Sequence, residues 1–518
     1  QAITAADAWC AAFTQPKTTE TEQTAVTDEV VRALTHGSVG SPATLALINS
    51  ESVRHRFFHW HLEFPQIFDS GGTRSSQGWS GGFTVMSGNP PWERVKLQEK
   101  EYFDDVPEIA AASNASARKK LIKGLRETDP VLWDSWQRAY RAAEATSQFL
   151  RVSGRYPLTG AGDVNTYQVF AETFRDLIHP DGRCGFITPT GLATDATTAP
   201  FFADSLRTKR LVAFYDFETG PEIWRGIGHN RFRFATSVLT GSPASDDREA
   251  QLAFVLKHPR ELDGERVIRI SNEDLRSLNP NTGTLPLFRS RRDAEITIGI
   301  YRRHPVLIRE GDSEGNPWGL SFRTMFHMTN DSYRFLSAEQ LEAMGADFDG
   351  WSWVQGEQRW LPLYEAKMVN LYDARFSTYK NLPTDYEGTA LPRLTDGEHA
   401  DPWVEPLARY WVDQRAVAEV ASEFTDLPFL LGWRDLTNQG NERTTISCLI
   451  PISAVGNTFM LASTKGAAES ASLMMGVMGS LAFDFVARQK LSATHLNYFT
   501  VKQIAAPTPE VLSLTPSW

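Results

Sequence analysis

The feature that most constrains this chain is an apolar, strand-like run, Phe83-Thr-Val-Met-Ser-Gly88, that stops at Asn89-Pro90-Pro91-Trp92. Two consecutive prolines cannot donate to a sheet ladder, and they stiffen the backbone. The chain must therefore leave the strand as a rigid hook. Strands and helices alternate downstream of it. Tyr167 to Ile178 reads as an amphipathic helix, with His179-Pro180-Asp181-Gly182 as its stop and turn. The run 183–189 reads as a strand, 200–209 as a helix, and 211–217 and 232–241 as two further strands. Alternation at this spacing predicts an α/β, doubly wound and largely parallel sheet.

The hook has a chemistry of its own. It offers acceptors in fixed positions, the Asn89 side-chain oxygen and the Pro90 carbonyl, which suit the two N–H groups of a planar exocyclic amine. Accepting both hydrogens favours pyramidal geometry at the nitrogen and exposes its lone pair to an electrophile. Trp92 supplies a ring on which a base swung out of a duplex stacks. The structural alternative for the same residues is a Pro-Pro turn capped by Asn.

The remaining texture divides the chain. Residues 1–50 form an N-terminal helical segment, and 51–245 carry the alternating pattern. Residues 246–430 lose it, with many Trp, Tyr and Pro from 285 onward, as in an irregular α+β region. Residues 431–518 form a C-terminal region with a helical stretch at 465–490. At 518 residues the chain exceeds one ordinary domain. The 15 Trp and 30 Phe supply large cores. Cys10, Cys184 and Cys448 lie far apart, giving no disulfide framework and no zinc pairing, and a reducing cytoplasm is the simplest compartment. No stretch reaches the roughly 20 apolar residues of a membrane span.

The net charge of −11 argues against a protein that coats nucleic acid, though a local basic cleft remains open. Arg289, Arg291, Arg292, Arg302 and Arg303 are the candidates for such a cleft, with surface ion pairing to Asp293 and Glu295 as the alternative. His55, His59 and His61 sit in an aromatic segment without a carboxylate-rich partner motif, so no metal site is expected there. Glu365-Ala366-Lys367 has the Glu-x-Lys spacing of magnesium nucleases, but such sites also need a positioned upstream Asp and the spacing is common by chance.

The chain resembles the amino-methyltransferases that methylate adenine in DNA, whose fourth motif reads Asn-Pro-Pro-aromatic. More narrowly, it is similar to the large methylases of type IIG restriction–modification systems and of the phage-defence systems BREX and DISARM. The resemblance is carried by FHWHLEFPQIF (58–68), GNPPWERVKLQEKEYF (88–103), GRYPLTGAGDVNTYQVF (154–170), GRCGFITPTGLATDATTAPFF (182–202) and LVAFYDFETG (211–220). It continues in LPLYEAKMVNLYDARFSTY (361–379), WRDLTNQGNERTTISCLIP (433–451) and DFVARQKLSATHLNYFTVKQI (484–504).

The resemblance implies the later strands of a Rossmann-like methyltransferase sheet over 51–245, a target-recognition region over 246–430, and a C-terminal region packed on it. It implies S-adenosylmethionine as cofactor, double-stranded DNA as substrate and other subunits of a defence system as partners. Asn89, Pro90, Pro91 and Trp92 become the catalytic hook, and Phe232 and Phe234 the rings against the flipped base. The chain departs from the family in lacking the Gly-rich cofactor motif and acidic residue upstream of the hook, so it reads as the C-terminal part of a larger enzyme, with 83–88 at a sheet edge. Thr84 stands where the family often has Asp. The alternatives are a DNA-binding or assembly subunit without activity, and a methyltransferase acting on RNA or protein.

Overall fold

The computed structural model describes residues 1–513 except 17, 70–77, 113–114, 196, 221–232, 244–248, 384–385, 387, 389, 465–467 and 492–493. The chain forms two compact units. The first comprises Gln1–Glu273 with Thr282–Thr284, and the second Asp274–Asn281 with Leu285–Trp518.

The first unit opens with helices α1 (Ala2–Thr14), α2 (Asp28–Thr35) and α3 (Pro42–His55). Their starts follow from local chemistry: Thr27 and Ser41 cap α2 and α3, and Pro42 occupies the first turn of α3. Ala8, Ala11, Leu34 and Ile48 close the core between them. Helices α4 (Ala115–Thr128) and α5 (Pro130–Val152) follow, interrupted at Asp129-Pro130, where Asp129 caps α5. They bury Ile122, Leu125 and Trp136 against Phe103 and Ile109.

The sheet contains β1 (Phe83–Gly88), β2 (Ile178–Pro189), β3 (Leu211–Glu218), β4 (Arg233–Thr240), β5 (Ala250–Leu256) and β6 (Ile268–Ile270). Helix α6 (Thr166–Leu177) precedes β2, and α7 (Ala199–Arg207) precedes β3. The spatial order is β1-β2-β4-β3-β5-β6, with β1 at one edge. β1 is parallel to β2 and β3 to β5, while β4 lies antiparallel between β2 and β3, and β6 antiparallel to β5. The sheet is therefore mixed, with β1, β2, β3 and β5 running one way and β4 and β6 against them. The alternating pattern alone predicted a largely parallel sheet, because it cannot show that β4 returns between two strands already laid down.

Two boundaries differ from expectation. His179–Gly182, which reads as a turn, belongs to β2: the register jumps from Phe83↔Ile178 to Val85↔Arg183, and the intervening residues are absorbed as a bulge. Gly82 makes this possible, since at φ +128° a Cβ there would lie 2.6 Å from the His179 nitrogen. The sheet also runs past residue 245, through β5 and β6.

The second unit holds helix α8 (Arg291–Tyr301) and two sheets. Strands β7 (Ser321–Arg323), β8 (Trp353–Gln355), β9 (Gln358–Tyr364), β10 (Trp411–Asp413), β11 (Phe429–Arg434), β12 (Ser447–Pro451) and β13 (Phe459–Ser463) build them. One sheet is ordered β12-β11-β13-β7; in the other, β8, β9 and β10 are consecutive neighbours and Ala454–Val455 lies parallel to β9. Trp353, Trp360, Tyr364, Trp411 and Phe459 share one core with Cys448. Helices α9 (Ala468–Gly479) and α10 (Leu481–Lys490) follow, so strands as well as helices make up the region after 431. Among the described residues no single helix is long and apolar enough to cross a membrane.

Candidate active site

The hook leaves β1 at the carboxyl end of that strand, the end at which open α/β sheets take their ligands. Asn89, Pro91 and Trp92 are exposed and Pro90 is buried. Just before the hook, Gly88 packs under α6: a Cβ there would lie 3.0 Å from the Phe174 ring. Phe174 in turn packs on Phe186 of β2 at 5.7 Å between centroids. Helix α6 therefore sits directly beneath the point where β1 ends.

Helix α6 also fixes the hook from its own start. Asn165 caps the helix through Tyr167 N at 3.4 Å, and Gln168 returns a bond to Asn165 N at 3.2 Å. The next residue, Thr166, donates its hydroxyl to the Pro91 carbonyl at 2.6 Å and accepts from Glu93 N at 3.0 Å. Thr166 N donates to the Glu93 carbonyl at 2.9 Å, and Val95 N to the Val164 carbonyl at 3.2 Å. Residues 93–95 and 164–166 thus form a short ladder. It takes the Pro91 carbonyl, whereas among the described residues the Asn89 side chain and the Pro90 carbonyl have no protein hydrogen-bond partner.

The aromatic residues separate. Trp92 is 41 % exposed. Phe234 is 8 % exposed and stacks on Phe217, with centroids 5.2 Å apart and planes at 15°, inside a cluster with Ala253 and Leu256. One face of Phe234 is thereby occupied by the protein. Phe232 lies outside the described residues.

The histidines of the aromatic segment have structural partners. His59 pairs with Asp7 at 2.9 Å, and His61 stacks on Trp79 at 5.2 Å. Burial, the neighbouring His59 and Arg155 hold the His61 pKa below its ordinary value. In the second unit Tyr379 donates to Glu365 at 2.5 Å, and Lys367 lies 3.5 Å from Glu365 and over the Tyr379 ring. These residues satisfy one another, which is how a packed polar cluster behaves.

All five arginines are exposed. Arg302 makes a bidentate pair with Asp274 at 2.9 and 3.0 Å, Arg292 pairs with Glu295 at 3.4 Å, and Arg289 donates to Gln439 at 2.9 Å. Gln439 belongs to the β11–β12 loop. Asp484 clamps this loop by accepting from Thr444 N and Thr445 N, both at 2.7 Å, and Arg488 by donating to the Gln439 and Glu442 carbonyls, both at 3.0 Å. Sequence reasoning did not find this loop or the brace by Thr166, because each joins segments distant along the chain.

No family model matches the sequence, and no curated protein does. Similar solved structures include the type IIG restriction endonuclease BpuSI, at 11% identity and TM-score 0.26, over 71% of this chain and 45% of that one. Another is the type IIL restriction–modification enzyme MmeI in complex with DNA, at 9% identity and TM-score 0.33, over 85% and 49%. A third is a nuclease-deletion mutant of the type ISP restriction–modification enzyme LlaGI in complex with a DNA substrate mimic, at 12% identity and TM-score 0.33, over 89% and 35%. All three are named as restriction or restriction–modification enzymes. Likeness at this level carries no argument about function, and the chain spans less than half the length of each. The functional reading rests on the site.

Proposed function

We propose that this chain presents the exocyclic amine of a flipped adenine in double-stranded DNA for methylation, as part of an adenine-specific DNA methyltransferase of a restriction or phage-defence system. The observation that carries the reading is the hook: two acceptors without a protein partner among the described residues, Asn89 Oδ1 and the Pro90 carbonyl, beside an exposed indole at the carboxyl end of β1. The brace from α6 supports it, because catalysis by positioning requires acceptors that do not move when the amine arrives. The exposed arginines of the second unit are the proposed phosphate and base contacts.

S-adenosylmethionine is the methyl donor the family resemblance implies, and the two glycines just before β1 do not hold it. Gly81 and Gly82 pack against the protein's own backbone: a Cβ at Gly81 would lie 2.3 Å from the Ile67 carbonyl oxygen, and one at Gly82 2.6 Å from His179 N. They leave no cradle for a nucleoside. No step is therefore assigned to the cofactor. This misfit favours a second reading, a subunit that binds DNA without transferring a methyl group.

The test is transfer of labelled methyl from S-adenosylmethionine to unmethylated duplex DNA by the native protein. Methylation at adenine that disappears in Asn89→Ala supports the first reading. DNA binding without any transfer supports the second, and full activity in Asn89→Ala removes the hook from the chemistry.

A further inference from the structure

Asp216, on β3, is fully buried, yet no step of the proposed chemistry uses it. It accepts from the Thr190 hydroxyl at 2.5 Å and from Val255 N at 2.9 Å, and pairs with the Arg233 guanidinium. Thr190 N donates to the Arg233 carbonyl at 3.3 Å. One carboxylate thus ties the end of β2, the start of β4 and the bulged stretch of β5 to β3. The cost is visible in the backbone. Val255 sits at φ +54°, a left-handed conformation that a β-branched side chain resists, and the β3–β5 register shifts between Tyr215 and Phe217. Strain of this kind persists only where its surroundings over-determine it, and it concentrates at functional sites. A buried ion pair is also weak evidence of stability, since apolar residues fill such a space as well.

The network leads to the hook. From Thr190 the chain enters a tight turn, held by Asp195 N to the Gly191 carbonyl at 2.9 Å and the Thr198 hydroxyl to the same carbonyl at 2.7 Å. The turn lies against Gly162, where a Cβ would stand 3.1 Å from the Thr197 methyl. Arg151 holds the Gly162 carbonyl at 2.8 Å. Two residues later begins the segment 164–166 that ladders onto 93–95 and takes the Pro91 carbonyl. Asp216, Thr190, Gly191 with Asp195 and Thr198, the neighbouring Thr197, Gly162 and Thr166 form a packed path to the hook.

We infer that Asp216 is a positioning residue: through Thr190 it sets Gly191, Asp195, Thr197 and Thr198, which brace the ladder holding Asn89-Pro90-Pro91-Trp92. Its functional meaning rests on the proposed reading of the hook, but its mechanical content does not.

Hydrogen exchange on peptides spanning 92–96, in the native protein, tests that content directly. Asp216→Asn keeps the size of the side chain and removes its charge. Thr190→Val removes only the hydroxyl and carries the test if Asp216→Asn does not fold. Both should exchange the Glu93 and Val95 amides about tenfold faster, while the β1–β2 ladder stays as protected as before. Thr190→Ser should behave as the parent. In methyl transfer, both variants should lower kcat about tenfold with KM for DNA unchanged, as expected for loss of an interaction that acts on the reacting geometry. Unchanged exchange at 93–95 overturns the inference, and so does uniform loosening of the whole sheet, which marks a purely structural carboxylate. Absence of methyl transfer in the parent overturns the proposed function instead, leaving the exchange result to decide the positioning role.

Discussion

The Thr166 hydroxyl donates to the Pro91 carbonyl at 2.6 Å across 75 residues of sequence, joining the first turn of α6 to the hook at the end of β1. The same oxygen accepts from Glu93 N at 3.0 Å, so one side chain fixes the backbone on both sides of Trp92. Thr166→Val should remove both bonds while leaving the Asn165 cap intact. Each is worth about 1 kcal/mol, and both lie where water can replace them. The expected outcome is a Tm lower by about 2–4 °C and a kcat lower by about tenfold, restored by Thr166→Ser. A kcat unchanged in Thr166→Val would show that the hook holds its geometry without the brace.

Trp92 and Phe234 were candidates for the same task, contact with the flipped base, and the structure separates them. Trp92 is half-exposed beside the acceptors, so Trp92→Ala should change stability by no more than about 0.5 kcal/mol. It should weaken capture of the base by about 1–3 kcal/mol. Phe234 stacks on Phe217 in the core, so Phe234→Ala should cost about 3–5 kcal/mol of stability. Chemical denaturation and DNA titration on the same two variants check both statements. A Phe234→Ala protein of normal stability with impaired base capture would reverse the assignment.

These contrasts show what the sequence made legible. The hook stood out because a β-rich run ends at two prolines, and strands 183–189 and 211–217 stood out because apolar runs follow helices there. Strand β5 (AQLAFVL) is equally apolar, but it lies beyond the point where strict alternation fails, and it joins β3 through pairing that no local period announces. The same holds in the second unit, where Leu461 pairs with Arg323 and Leu363 with Ala454. The His-Pro-Asp-Gly stretch carried every sign of a turn, and the close approaches allowed by Gly82, Gly182 and Gly241 keep it in a strand. At the proposed site, Asn89 and Trp92 were nominated from residue type. Thr166 and Asp216 were not, because their roles come from partners brought in by the fold.

The three cysteines give a pH-dependent test. Cys10, Cys184 and Cys448 are all buried, and burial pushes each thiol up to about 12. In the unfolded chain a thiol titrates near about 8.5, so the folded state keeps its protons where the unfolded state loses them. Stability from this source is whole below about pH 8.5 and is lost as pH rises toward the folded values. Tm should therefore fall more steeply above pH 9 in the parent than in a variant with all three cysteines replaced by alanine. A disulfide-exchange reagent at pH 8 should modify none of them in the folded protein and all three after unfolding. Rapid labelling of any one in the native state would contradict the buried placement.

The arginines of the second unit differ in what they have left to offer a phosphate. Arg302 is held by both oxygens of Asp274, so its replacement should cost folding interactions first. The Arg292–Glu295 pair is 3.4 Å long, with side chains 78% and 55% exposed, and a pair in that setting is worth about 0–1 kcal/mol. It yields readily to a phosphate, whose charge is concentrated and whose counterions are released on binding. Arg291→Ala combined with Arg292→Ala should therefore weaken binding about equally on all duplexes and flatten the salt dependence by about one unit for each phosphate these side chains neutralise. Arg289 is different: its bond to Gln439 sets it against the clamped β11–β12 loop, a rigid platform of the kind that base reading needs. Arg289→Ala should relax specificity at one base pair, by about 1–3 kcal/mol, with the salt slope nearly intact. Affinity measured against salt on random and selected duplexes separates the two behaviours. An unchanged slope in the double variant, together with unchanged affinity, would remove the start of α8 from the DNA interface.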